Sequence, residues 1–173
     1  MKVEFKDPIL ENPRLTDIFR QSPISIGMYD KEGILLDVNQ ACIDLFGLKN
    51  SCEINEFYLF SSPHLSEQVI VNIRSGKSIK CELAYNFEVI RNKNLYRANK
   101  EGIIYLECFI NPTFNQDKEI TGYIVHITEI TERKEAQELL DEKGKELQEV
   151  NVTKDKFISM IAHDLKSPFN VYH

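Results

Sequence analysis

The sequence of 173 residues has no tryptophan and only seven glycines, six prolines and four cysteines. So little Gly and Pro excludes a collagen-like or low-complexity chain. No apolar run approaches the ~20 residues that cross a bilayer. The opening MKVEFKDPILENP is too polar for a secretory signal. A cytoplasmic chain with no membrane segment is therefore expected. Cys42, Cys52, Cys81 and Cys108 form no CxxC pair, which argues against a zinc site and for reduced, mostly buried thiols. Positive charge is in deficit, 21 Lys and Arg against 27 Asp and Glu for a net −6, which argues against a nucleic-acid partner. What is present, 42% hydrophobic and 28% charged residues, supports a globular core. The length allows one domain plus an appendage.

Composition changes near residue 131. Before it lie mixed strand and helix signals. From Glu132 to Lys156 there is no proline, one glycine (Gly144) and a dense run of both charge signs, the pattern of one long exposed helix.

The N-terminal part opens with a short helix over 13–20. Ile24 to Asp30 and Ile34 to Val38, joined by Lys31-Glu32-Gly33, read as a hairpin. Asn39 is placed to cap a helix over 40–46, with Ala41, Leu45 and Leu48 on one side and Gly47 as its left-handed stop. Residues 50–62 are short helical turns or loop. A helix over 63–75 is expected, with Pro63 in its first turn, Leu65, Val69 and Ile73 on one face and Gly76 beyond its end. Ile79 to Val89 alternates apolar and polar residues, the period of a half-buried strand. Residues 91–101 read as a polar turn, and 102–112 and 120–130 as two further strands. The order predicts an α+β domain, an antiparallel sheet covered by helices.

Two stretches carry a family resemblance. SPISIGMYDKEGILLDVNQACIDLFGL (22–48) and GYIVHITEITERKEAQELL (122–140) resemble the opening and closing of PAS domains. The resemblance implies a PAS fold, a five-stranded antiparallel sheet with flanking helices, over 22–131. Residues 1–21 would form an N-terminal extension. In the second stretch Glu129-Ile130-Thr131 matches the family's junction between last strand and signalling helix, with Glu where Asp is usual.

A third stretch, KDKFISMIAHDLKSPF (154–169), carries a different resemblance, to the H-box of sensor histidine kinases. The resemblance implies that His163 is the phosphoacceptor, Asp164 its acid–base neighbour, and Ser167 a residue of the phosphatase reaction, where the family often has Thr or Asn. Histidine attacks through a neutral ring nitrogen, and a neighbouring carboxylate can take the proton of the other one. At about 100° per residue, Phe157, Ile158, Ile161 and Leu165 share one stripe of a helix and His163 points away from it. Pro168 should break the helix.

Residues 132–153 would then be a helical linker and 154–173 the start of a truncated dimerisation and phosphoacceptor domain. An a/d seam runs through Ala136, Leu140, Leu147, Val150, Phe157 and Ile161, interrupted by Lys143 and Lys154, and predicts a parallel homodimeric coiled coil. The implied activity is ATP-dependent histidine autophosphorylation in a two-component phosphorelay, with a response regulator receiver domain as partner. ATP and Mg²⁺ belong to a kinase domain absent from this sequence, so the chain is expected to be an N-terminal fragment of a longer kinase or a truncated gene product. Gly144 is a candidate soft point in the helix.

No cofactor is evident for the sensor domain. Ser51-Cys52-Glu53-Ile54-Asn55-Glu56 does not match the flavin motif of light-sensing PAS domains. His64 lies near the haem-ligand region of haem-binding ones without the accompanying motif, and His126 has a structural role by default. Tyr85, Phe87, Phe109 and Tyr123 are candidates to line a small-molecule pocket, against the simpler reading of core aromatics. The alternative function is a PAS dimerisation or ligand-binding module without enzymatic output.

Overall fold

A sheet of five strands forms because the hairpin at the start of the chain is closed by the strand at its end. The computed structural model describes residues 13–48, 57–96 and 99–166, side chains excepted for 164–166. Helix α1 (Pro13–Gln21) leads into β1 (Ser25–Asp30) and β2 (Leu35–Val38). Their turn is fixed by Asp30, whose carboxylate accepts from Ile34 N–H at 2.7 Å, and by Gly33 at φ 84°. Then come α2 (Gln40–Phe46), a 3-10 turn (Leu59–Ser61), α3 (Glu67–Arg74), β3 (Ile79–Asn86), α4 (Phe87–Asn92), β4 (Ile103–Phe114), β5 (Ile120–Glu129) and α5 (Thr131–Lys166). Strand order is β2-β1-β5-β4-β3, and every neighbouring pair is antiparallel. This is the PAS fold followed by a long helix, as the sequence predicts.

Local chemistry sets the helix ends. Asn39 caps α2 by accepting from Cys42 N–H, and Gly47 stops it at φ 65°. Cys42 and Leu45 are the buried residues of α2, and Ala41 is only half-buried. Two predicted boundaries need correction. The helix predicted from Pro63 starts at Glu67, because Ser66 is the residue that caps it, accepting from Val69 N–H; Pro63 stands in the preceding turn. The strand predicted through Val89 ends at Asn86, whose side chain accepts from Glu88 N–H at 2.8 Å and starts α4. Phe87 and Ile90, three apart and both fully buried, form the core face of that helix.

The core lies between one face of the sheet and the helices, with Val38, Leu59, Ile73, Phe87, Ile90, Leu106 and Ile110 almost wholly buried. Asn39 is the fully buried polar exception. Its Oδ1 accepts from Ile26 N–H and Cys42 N–H, both at 3.0 Å, and its Nδ2 donates to Ile24 O at 2.7 Å and Ser22 O at 3.3 Å. One side chain thus ties the first strand to the first turn of α2.

The chain divides after Thr131 into two units, Met1–Thr131 and Glu132–His173. Helix α5 has 36 residues, about 54 Å of α-helix. From Glu135 to His163 every side chain on it is exposed. No helix among the described residues is long and apolar enough to cross a membrane.

Candidate functional site

Register decides which side chains meet. In the β3–β4 pair, Cys81 faces Cys108, Leu83 faces Leu106 and Tyr85 faces Ile104, all on the inner side of the sheet. The alternate pairs Lys80–Phe109 and Glu82–Glu107 face outward. The inner face and the helices do not quite meet. They leave a cavity of about 70 Å³, walled mainly by aliphatic and aromatic groups and including Tyr29, Cys42, His64, Tyr85, Tyr96 and Cys108. About 10–15 Å³ on this scale holds one water, so the space suits a small molecule.

Of the four aromatic residues predicted to line a pocket, Tyr85 alone does so. Phe87 is sealed in the core at the start of α4, with its ring edge-on to Tyr85 at 5.3 Å. Phe109 falls between the inward Cys108 and Ile110 and so lies on the outer face, 38% exposed, with Lys80 Nζ 5.0 Å from its ring. Tyr123 is buried, but its ring is spent on Phe60, edge-on at 5.3 Å, rather than on the cavity. His126 alternates with the cavity-facing Val125 and Ile127, and its register partners are Ile26 and Phe109.

The polar corner of the cavity joins the predicted Tyr85 to two residues that the sequence left unassigned or set aside, Tyr96 and His64. Tyr85 and Tyr96 share a buried hydroxyl–hydroxyl bond of 2.7 Å. Burial pushes both phenols up, so both stay protonated. His64 stacks on Tyr85 with centroids 4.4 Å apart and planes at 29°. Its Nε2 accepts from Asn86 N–H at 3.2 Å. Its Nδ1 is buried and has no hydrogen-bond partner among the described residues. Burial, then the Lys93 charge, lower its pKa, so the ring is neutral near pH 7. The available signal for Tyr96 was an apolar pair, Leu95-Tyr96, inside an otherwise polar stretch.

The thiols follow their surroundings. Cys42, Cys81 and Cys108 are free. Burial pushes Cys42 up to about 12. Cys81, the register partner of Cys108, is drawn down by contact with that thiol, and the same contact together with burial pushes Cys108 up. Cys52 lies outside the described residues.

At the junction, Thr131 Oγ1 donates to Glu129 Oε1 at 3.0 Å and accepts from Tyr105 N–H at 3.0 Å. Ile130 N–H donates to Tyr105 O at 2.8 Å. Glu129 therefore reaches the threonine despite its longer side chain. Tyr105 belongs to β4, whose inward residues Leu106, Cys108 and Ile110 wall the cavity.

His163 is exposed near the end of α5. Asp164 follows it in the helix, but its side chain lies outside the described residues, as does Ser167. The apolar side chains of Leu140, Leu147, Val150, Phe157 and Ile161 are 41–67% exposed on the single chain.

The sequence profile of the PAS domain family matches residues 23–132, and the chain belongs to that family. No curated protein sequence matches it. Among solved structures it is similar to an RNA-binding light-oxygen-voltage receptor (TM-score 0.61, 16% identity), over 84% of this chain and 40% of the receptor. It is also similar to the PAS domain of a protein from Colwellia psychrerythraea (TM-score 0.52, 17% identity), over 72% of this chain and 98% of that one. A third is the PAS domain of the fruit-fly ELK potassium channel (TM-score 0.54, 10% identity), over 72% and 99%. At these identities the likeness is one of fold. A receptor and a channel domain share it, so it does not select an output.

Proposed function

We propose that this chain is the signal-input part of a two-component sensor histidine kinase. In this reading the PAS domain takes up a small-molecule cue in its cavity, and α5 passes the response to His163. The supporting observation is that the H-box-like stretch 154–169 places its histidine, exposed, on the helix that starts at the PAS junction. The exposed stripe on α5 supports pairing with a second copy, since an isolated helix with such a stripe is marginal in water.

The chemistry is phosphoryl transfer. A neutral imidazole nitrogen of His163 attacks the γ-phosphorus of ATP held by a kinase domain. The bond from that phosphorus to the β,γ-bridging oxygen breaks, ADP leaves, and an N–P bond forms. The proton on the other ring nitrogen passes toward Asp164. A response regulator's receiver domain then takes the phosphoryl group.

The test adds a purified histidine kinase ATP-binding domain and γ-labelled ATP to the full chain. Acid-labile label is expected on the wild type and absent from His163→Gln. Label on both, or none on a wild type paired with a domain that phosphorylates another H-box, refutes the proposal.

A further inference from the structure

The cavity's polar corner is incomplete in one particular sense: it holds more hydrogens than acceptors. Asn86 N–H points at His64 Nε2, so that nitrogen carries a lone pair, and the proton of the neutral ring sits on Nδ1. Nδ1–H is buried with no acceptor among the described residues. A buried donor without a partner is costly and is commonly completed by a bound molecule. In the Tyr85–Tyr96 bond one hydroxyl donates and the other keeps its own proton to give. The His64 and Tyr85 rings are stacked, so both surplus donors belong to one corner. Among the described residues around the cavity there is no Asp, Glu, Lys or Arg, and the remaining wall is largely Leu, Val, Ile and Phe. Lys93 acts on His64 from outside this lining, and a charged guest would meet no counter-charge among the described lining residues.

We propose that this corner anchors a small, neutral, largely apolar ligand that presents one hydrogen-bond acceptor, a ketone, an ester carbonyl or an aromatic ring nitrogen, to His64 and the tyrosine pair. The inference rests on the reading of the PAS cavity as the sensing site. It does not depend on the fate of His163, because it is tested by binding alone.

Three probes of similar size separate the possibilities: acetophenone, isopropylbenzene, which lacks the acceptor, and benzoate, which is charged. Each is titrated into the full chain at pH 7.5 and followed by the methyl resonances of Leu106 and Ile110. Acetophenone is expected to bind at least tenfold more tightly than isopropylbenzene, and benzoate not to bind. In His64→Phe the preference for acetophenone should shrink, leaving what the tyrosine pair supplies. Equal affinity in the wild type, preference for benzoate, a preference unchanged in His64→Phe, or no response to any probe at millimolar concentration overturns the proposal. Long-range ¹⁵N–¹H spectra of the wild type give a check that needs no variant. They should show the Nδ1–H tautomer of His64, and the Nε2–H tautomer or an imidazolium overturns it.

Discussion

Replacing Asn39 with alanine strips the partners from two backbone N–H groups at once. Ile26 N–H loses its acceptor at the start of β1, and Cys42 N–H loses its acceptor in the first turn of α2. Ile24 O and Ser22 O also lose a donor, but Ile24 is exposed, and water can replace the amide there. The two N–H groups decide the size of the effect. A buried donor left unpaired costs about 1–3 kcal/mol, and a lost N-cap about 1 kcal/mol of the same balance. Asn39→Ala should therefore destabilise the chain by about 3 kcal/mol, a large share of the ~5–15 kcal/mol that holds a domain folded. Asn39→Ser separates the two parts. Its hydroxyl can still cap Cys42 N–H but is too short to serve β1 as well, so it should recover about 1 kcal/mol. Urea unfolding followed by far-ultraviolet circular dichroism measures all three proteins. An alanine variant within 1 kcal/mol of wild type, or a serine variant no better than alanine, refutes the argument that this side chain joins strand and helix.

Three further outcomes are expected. His64 has a folded-state pKa below its ordinary value, so between that value (~6.5) and the lowered one the unfolded chain binds a proton that the folded chain resists. Stability should be full above the unfolded value and fall on acidification from pH 7 to 5, more steeply in wild type than in His64→Phe, as read from denaturation midpoints. Thr131→Val keeps the side-chain shape but removes the acceptor of Tyr105 N–H and the donor to Glu129. It should cost about 1 kcal/mol and speed amide exchange at Tyr105 and in the first turn of α5. A methyl group at Gly144 meets nothing within 4 Å, so Gly144→Ala should stabilise α5 by about 1 kcal/mol, visible in its thermal melt. An unchanged signal response in that variant removes the idea that Gly144 is a soft point.

Much of the fold was legible because its punctuation is local. The hairpin at Lys31-Glu32-Gly33, the Asn39 cap and the Gly47 stop are short-range chemistry, and the structure keeps all three. The end of β3 was not legible, because Phe87 satisfies both periods. It continues the alternation of Tyr85 and also starts the three-residue spacing to Ile90. Only the capping bond from Glu88 N–H to the Asn86 side chain decides between them. The cavity was less legible still. Alternation tells which residues face inward, and it would have set Phe109 aside, since Cys108 and Ile110 flank it on the other face. It does not tell where helices fail to fill the space above the sheet. That depends on the 3-10 turn and on the loop carrying Tyr96, neither of which has a periodic signature.

The pairing of β1 with β5 in the middle of the sheet has a consequence for synthesis. Tyr29 and Tyr123 are register partners more than ninety residues apart. The first hairpin therefore leaves the ribosome with an open strand edge that stays unpaired until almost the whole domain has been made. Contacts of such long range slow folding and leave that edge available to wrong partners in the interval. A nascent chain stalled before residue 120 should recruit chaperones, whereas one released beyond residue 130 can close its own sheet.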